Sequence, residues 1–211
     1  MKNGGNKMDY PAEQLYNNRI NTSSNHIYYF YTYWQWSEAK NLPREDDRRI
    51  RSERILNFKT DDDRFAKLKQ DSFNLFRKCF RNHLVELASE KWIVCSIPNH
   101  DQTLPIANNV DDFLDYCKLP SNMLVVHCLI TRKYETPKKH SADYGMRTYK
   151  KDLDSYKMRN DIDIKDKNII VFDDVTTSGS SLVAARMFLQ SHGANKVVCI
   201  ALGKTVENND R

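Results

Sequence analysis

The clearest signal along the chain is a set of short, continuously apolar runs separated by stretches of helical periodicity. Trp92-Ile93-Val94-Cys95-Ser96-Ile97, which ends at Pro98, predicts one buried strand, and the segments 123–130, 168–172 and 196–202 predict three more. Between them, Phe65, Leu68, Phe76, Phe80, Leu84 and Leu87 recur at the spacing of one helical face. With Asp61, Asp62 and Asp63 as cap and first-turn charge, they predict a long amphipathic helix over 64–89. Ile106, Val110, Phe113 and Leu114 predict a second helix over 105–117. Leu182, Ala185, Phe188 and Leu189 predict a third over 181–192, stopped by Gly193. Apolar strands alternating with amphipathic helices are what a parallel sheet covered on both faces requires, so the expected fold class is α/β.

Three segments differ in texture. Residues 1–25 are polar and Asn-rich, a composition too poor in apolar area to repay ordering, and read as a loose terminus. Residues 26–60 carry Tyr28, Tyr29, Phe30, Tyr31, Tyr33, Trp34 and Trp36, followed by a charged run over 44–51. They predict an N-terminal, partly helical hood whose rings pack on the rest of the chain or on a second subunit, giving a homodimer. Stacking on a base or nucleic acid is the alternative. Residues 61–211 then make the α/β domain, interrupted over 132–167 by a polar segment too long for an ordinary loop. That segment predicts a flap or a hairpin excursion. The Lys- and Asp-containing stretch over 150–159 inside it reads as a solvated face.

Composition removes several classes. No stretch approaches the roughly 18 to 20 consecutive apolar residues of a membrane span, so no membrane partner is expected. The first eight residues hold no apolar core of a secretory signal, which makes a cytoplasmic location the expectation. Cys79, Cys95, Cys117, Cys128 and Cys199 are scattered without a C-x-x-C pair, so they read as reduced packing residues, neither disulfides nor zinc ligands. The formal charge of +5, from 33 Lys and Arg against 28 Asp and Glu, is too mild to imply nucleic acid by itself.

The chemistry concentrates in Ile169-Ile170-Val171-Phe172-Asp173-Asp174-Val175-Thr176-Thr177-Ser178-Gly179-Ser180-Ser181-Leu182. An apolar strand delivers two carboxylates, then a hydroxyl-rich turn with one glycine, then a helix. At the carboxyl end of a parallel strand, such a turn offers backbone N–H groups and the positive end of a helix dipole to a phosphate. The carboxylates suit vicinal sugar hydroxyls, or a magnesium ion carried mainly by phosphate oxygens. A sugar phosphate satisfies both halves. Neither a G-x-G-x-x-G turn nor a G-x-x-x-x-G-K-[ST] loop occurs, which excludes the common dinucleotide and nucleotide-triphosphate motifs.

This run resembles the 5-phosphoribosyl-1-diphosphate (PRPP) signature of type I phosphoribosyltransferases. Within that family the chain is most similar to ComF-type, competence-associated domains. Ile55-Leu56-Asn57-Phe58-Lys59 resembles their lead-in, Ser96-Ile97-Pro98 their pyrophosphate loop, and the segment 193–205 their last strand. The resemblance implies a parallel twisted sheet with helices on both faces. It implies that Asp173 and Asp174 act at the ribose 2′- and 3′-hydroxyls and help hold Mg2+, and that Thr176, Thr177, Ser178, Gly179, Ser180 and Ser181 cradle the 5-phosphate. It further implies that Ser96, Ile97, Pro98 and Asn99 contact pyrophosphate, and that Arg132, Lys133, Lys138 and Lys139 belong to a flexible flap. The implied activity is transfer of a phosphoribosyl group from Mg-PRPP to a nitrogen acceptor, with a nucleoside 5′-monophosphate as the alternative ligand. The sequence departs from the family at Asn99-His100-Asp101-Gln102, where relatives carry a basic residue, and it lacks their zinc-ribbon cysteines. Those departures favour a second reading, a non-catalytic sensor of PRPP or a nucleotide that engages a protein or nucleic acid.

Overall fold

A computed structural model describes residues 12–15, 20–60, 62–101, 103–136 and 149–206. Its spine is a six-stranded sheet in which every pairing is parallel. The strands are β1 (Ala12–Gln14), β2 (Ile27–Tyr33), β3 (Trp92–Ser96), β4 (Met123–Val125), β7 (Asn168–Thr176) and β8 (Lys196–Thr205), in the spatial order β1-β2-β8-β7-β3-β4. A separate antiparallel pair joins β5 (Ile130–Arg132) to β6 (Tyr156–Met158).

Alternate residues of the central strands feed two cores. Trp92, Val94, Ile170, Phe172, Val198, Ile200 and Leu202 face α2 (Asp47–Lys59), α3 (Ala66–Leu84) and α4 (Asn109–Cys117). Ile93, Cys95, Ile169, Val171, Val197 and Cys199 face α6 (Ser180–Ser191), with α5 (Tyr149–Ser155) and the β5–β6 pair outside it. Helices therefore cover both faces, and the α/β parallel fold expected from the apolar runs is the fold observed. The first core is aromatic. Phe172 meets Phe80 with ring centroids 4.6 Å apart and stacks on Phe113 at 5.6 Å, contacts worth about 0.5–1.5 kcal/mol each beyond the area they bury. Those rings fix β7 immediately before Asp173.

Several boundaries differ from the sequence reading, among them the last strand, which runs on to Thr205, and the long helix, which ends at Leu84. The aromatic run is a strand of the main sheet: β2 pairs with β8 from Ile27 opposite Cys199 to Tyr33 opposite Thr205, burying Tyr28 and Phe30. The helical part of the expected hood is α2 and the short α1 (Trp36–Ala39). The segment 123–130 is split, because Cys128 turns the chain with φ +52° and releases β5 to pair elsewhere. α4 starts four residues later than expected, since the Asn108 side chain accepts from Val110 N and Asp111 N while Asp111 accepts from Asn108 N. β7 runs on to Thr176, because Asp173, Val175 and Thr176 still pair with Ala201, Gly203 and Lys204 of β8.

At Gly203 the sheet has no side chain on the side that α2 crosses. A Cβ there would lie 2.6 Å from Ile55 Cδ1 and 3.3 Å from Tyr33 Cβ. A larger residue at 203 would therefore displace the end of the Ile55 side chain and crowd Tyr33.

Candidate functional site

β7 carries both carboxylates to the carboxyl end of the sheet. Asp173 is buried and accepts from Asp174 N at 2.9 Å; Asp174 is partly exposed and accepts from Val175 N. Lys59, the last residue of α2, places Nζ 2.9 Å from Asp174 Oδ2. Loss of surrounding water alone would pull the Lys59 ammonium below its ordinary value. The charge of Asp174, the hydrogen bond to it and the nearby Asp173 outweigh that pull and hold it above. Lys59 belongs to the lead-in noted in the sequence, but nothing in its spacing pointed to Asp174, 115 positions away.

The turn after β7 narrows to Gly179, whose φ of +82° is a left-handed conformation that costs other residues about 1–2 kcal/mol. α6 then begins with no side-chain cap, whereas Asp46 caps α2 and Asn108 caps α4. Of its first N–H groups, that of Ser180 leans on Ser178 Oγ at a long 3.4 Å, and no cap side chain takes the others. The hydroxyls of the turn divide their roles. Thr177 Oγ1 meets Thr205 Oγ1 at 3.2 Å, and Thr176 is buried. Ser178 and Ser180 are half-buried beside the helix start. Ser181 points inward, its Oγ donating to Asp152 Oδ2 at 3.0 Å.

β3 brings the second loop alongside. Ile97 N donates to Phe172 O at 3.0 Å, so the chain leaves the sheet next to Asp173. Ser96 Oγ is turned away and donates to the buried Asp111 at 2.7 Å; Ile97 and Pro98 are buried, and Asn99 is the exposed member of the four. Beyond them, Asn99, Asp101, Thr103, Leu104, Ile106, Ala107, Asn108, Asn109 and Asp112 line an open pocket of about 450 Å³. Asn109 links it to the carboxylates, because its Nδ2 donates to Lys59 O at 3.1 Å.

Arg132 corrects the expectation of a flexible flap residue. It lies in β5 with its side chain fully buried, its Nη1 3.0 Å from Asp152 Oδ1, and its ring neighbour Tyr156 5.1 Å from the guanidinium carbon. A charge so deep is stable only when paired and fully hydrogen-bonded. Lys133 is exposed and donates to Asp154 O. Lys138 and Lys139 lie outside the described residues. The stretch over 150–159 is a solvated face only in part: Lys150, Lys151, Asp154 and Lys157 are exposed, but Asp152, Ser155 and Tyr156 are buried. Asp152 was missed because its burial depends on a partner twenty positions away.

No cluster of three or more His, Cys, Asp or Glu able to hold a metal occurs among the described residues. Two adjacent carboxylates at a strand end fit a magnesium ion whose remaining ligands come from a bound phosphate. Four of the cysteines are buried, and burial raises the thiols of Cys95 and Cys199, and that of Cys117 to about 12. No described helix is long and apolar enough to cross a membrane.

No protein-family model and no curated protein matches the sequence. Among solved structures, the chain is similar to a hypoxanthine phosphoribosyltransferase from Staphylococcus aureus in a tetragonal crystal form, at 9% identity, covering 63% of this chain and 73% of that one with a TM-score of 0.37. The orthorhombic form of that protein gives 9% identity, 75% and 76% coverage and a TM-score of 0.35. A phosphoribosylpyrophosphate synthetase from Mycobacterium smegmatis gives 14% identity, 85% and 54% coverage and a TM-score of 0.35. Superpositions of this size define no correspondence between sites.

Proposed function

We propose that this protein binds a 5-phosphorylated ribose, PRPP with magnesium or a nucleoside 5′-monophosphate, at the carboxyl end of β7. The observation that carries the reading is the continuity of the strand that carries Asp173 and Asp174 with the uncapped, Gly179-led start of α6. One end of that unit accepts hydrogen bonds from sugar hydroxyls, and the other donates them to a phosphate. Ser178 and Ser180 add hydroxyl donors, while Thr176, Thr177 and Ser181 support the turn from behind. Asp173 and Asp174 would hold the magnesium together with ligand oxygens, and the ion would neutralise charge on the leaving pyrophosphate.

In the reading as a transferase, the bond from C1 to the pyrophosphate oxygen breaks and pyrophosphate departs with the electron pair. The acceptor nitrogen bonds to C1 and gives up a proton. The chain contributes orientation and charge: the phosphate end is fixed by the turn, the ribose by the carboxylates, and the loop from Pro98 to Asp101 faces the departing group. The pocket lined by Asn99, Asn108 and Asn109 supports a site for an acceptor rich in hydrogen-bonding groups.

The sensor reading is favoured by one observation. No Lys or Arg side chain occurs among Asn99, His100 and Asp101, and the nearby cation Lys59 is already paired with Asp174. Calorimetric titration with Mg-PRPP tests the common core of both readings, and a pyrophosphate-release assay over purines, pyrimidines and amides separates them. Heat without release supports the sensor; absence of heat with PRPP, ribose 5-phosphate and nucleoside monophosphates removes both. A homodimer and a nucleic-acid contact by the half-exposed Trp34 and Trp36 stand as further proposals, to be tested by sedimentation and by retention on single-stranded DNA.

A further inference from the structure

Arg132 joins the loop after β3 to α5. Its Nε donates to Asn99 O at 2.7 Å and its Nη2 to Pro98 O at 3.4 Å; Nη1 donates to Ser155 Oγ at 2.6 Å and pairs with Asp152. The other carboxylate oxygen of Asp152 takes the Ser181 hydroxyl, and Tyr156 Oη donates to Ser181 O at 3.1 Å. The next carbonyl of the first loop is held from the same side, since His100 O accepts from Thr136 N at 2.8 Å and from Thr136 Oγ1 at 3.3 Å. Three successive carbonyl oxygens, those of Pro98, Asn99 and His100, therefore turn toward Arg132 and Thr136.

The described residues contain no cis peptide bond. In a trans peptide the C=O and the following N–H point in opposite directions. The N–H groups of Asn99 and His100 accordingly point away from the guanidinium, and that of Asp101 points away from Thr136. Successive backbone N–H groups on one side of a loop bind anions without any basic side chain.

We propose that Arg132 is a positioning residue for the pyrophosphate-bearing side of the ligand. It aims the backbone donors of Asn99 and His100, beside that of Asp101 which Thr136 aims, and through Asp152 it fixes that loop relative to Ser181 at the start of α6. This rests on the sugar-phosphate reading above and accounts for how a loop with no lysine or arginine takes a highly charged group. The cation acts from behind the loop, spaced from the ligand by one layer of peptide.

Two measurements test it on the full chain. In calorimetry with Mg-PRPP and with ribose 5-phosphate, Arg132→Lys keeps the charge but not the fork of donors. It is expected to weaken PRPP by about tenfold, the scale of one charge-assisted hydrogen bond, with ribose 5-phosphate changed by less than about twofold. Asp152→Asn, which touches Ser181 directly and the first loop through Arg132, is expected to weaken both ligands. If Arg132→Lys weakens the two equally, or neither, the positioning role is overturned while the sugar-phosphate site stands. If the wild-type protein binds neither, both ideas fall. Should the variant not fold, amide NMR of the wild-type chain decides. Titration with inorganic pyrophosphate is expected to move the His100 and Asp101 amide resonances, and resonances that stay in place overturn the proposal.

Discussion

Lys59 Nζ sits 2.9 Å from Asp174 Oδ2, joining the end of α2 to the end of β7 across the mouth of the candidate site. Both side chains keep contact with water, at 40% and 24% exposure, so the pair contributes on the scale of about 1 kcal/mol or less to stability. Its larger effect is electrostatic, since it offsets part of the negative charge that Asp173 and Asp174 would present to a phosphate.

Lys59→Met is therefore expected to weaken Mg-PRPP or ribose 5-phosphate by about tenfold, read by calorimetry at low salt, with the gap narrowing as salt rises. An unchanged affinity would mean that Lys59 serves α2 alone. The pH dependence has a fixed sign. The Lys59 pKa lies above the ordinary 10.5, so its stabilising effect is complete below that value and is lost as the pH climbs through the higher folded-state value. The difference in Tm between wild type and Lys59→Met should hold steady from neutral pH to about 10 and close above it.

Gly179→Ala puts a side chain on a residue with φ +82°. The expected cost is about 1–2 kcal/mol in urea denaturation, with a loss of phosphate-ligand binding larger than that destabilisation alone would give. Native-like binding in the variant would show that the turn is not part of the ligand site.

The Arg132–Asp152 pair, fully buried on both sides, predicts strong non-additivity. Arg132→Met or Asp152→Leu alone strands a charge and is expected to cost about 3–5 kcal/mol. The double variant should cost clearly less than the two summed, a coupling that denaturant midpoints of the four proteins in the cycle measure. Additive losses would contradict the pairing.

Thiol chemistry gives an independent check on the cores. Cys79 is half-buried, 3.0 Å from Tyr31 Oη, and the other four cysteines are buried. Alkylation of the native protein should label Cys79 at most, and all five thiols only after denaturation. Rapid native labelling of Cys95 or Cys199 would mean that the sheet opens readily.

Much of this was legible in the sequence for a simple reason. The strands at Trp92, Asn168 and Lys196 are buried on both faces, so they read as unbroken apolar runs whatever surrounds them. The turn from Asp173 to Ser181 was legible because a strand, a carboxylate pair and a glycine turn are contiguous in the chain. β2 was not, because its run of tyrosines has the composition of a surface as well as of a strand, and only the partner β8 decides. Arg132 and Asp152 were misread for the same kind of reason: a charge in a polar stretch looks solvated until the chain folds its counter-charge against it. The start of α4 was misplaced because Pro105 signals a helix start, but Asn108 offers a better cap.

The gap at Gly203 reaches further than packing. Ile55 occupies the space where a side chain would be, and Lys59 stands one turn along the same face of α2. A methyl group at 203 would press first on Ile55 Cδ1, on the face of α2 that also carries Lys59 toward Asp174. Position 203, which carries no polar side chain, thus meets the helix that ends in Lys59 through the packing of Ile55, a steric neighbour of an electrostatic pair.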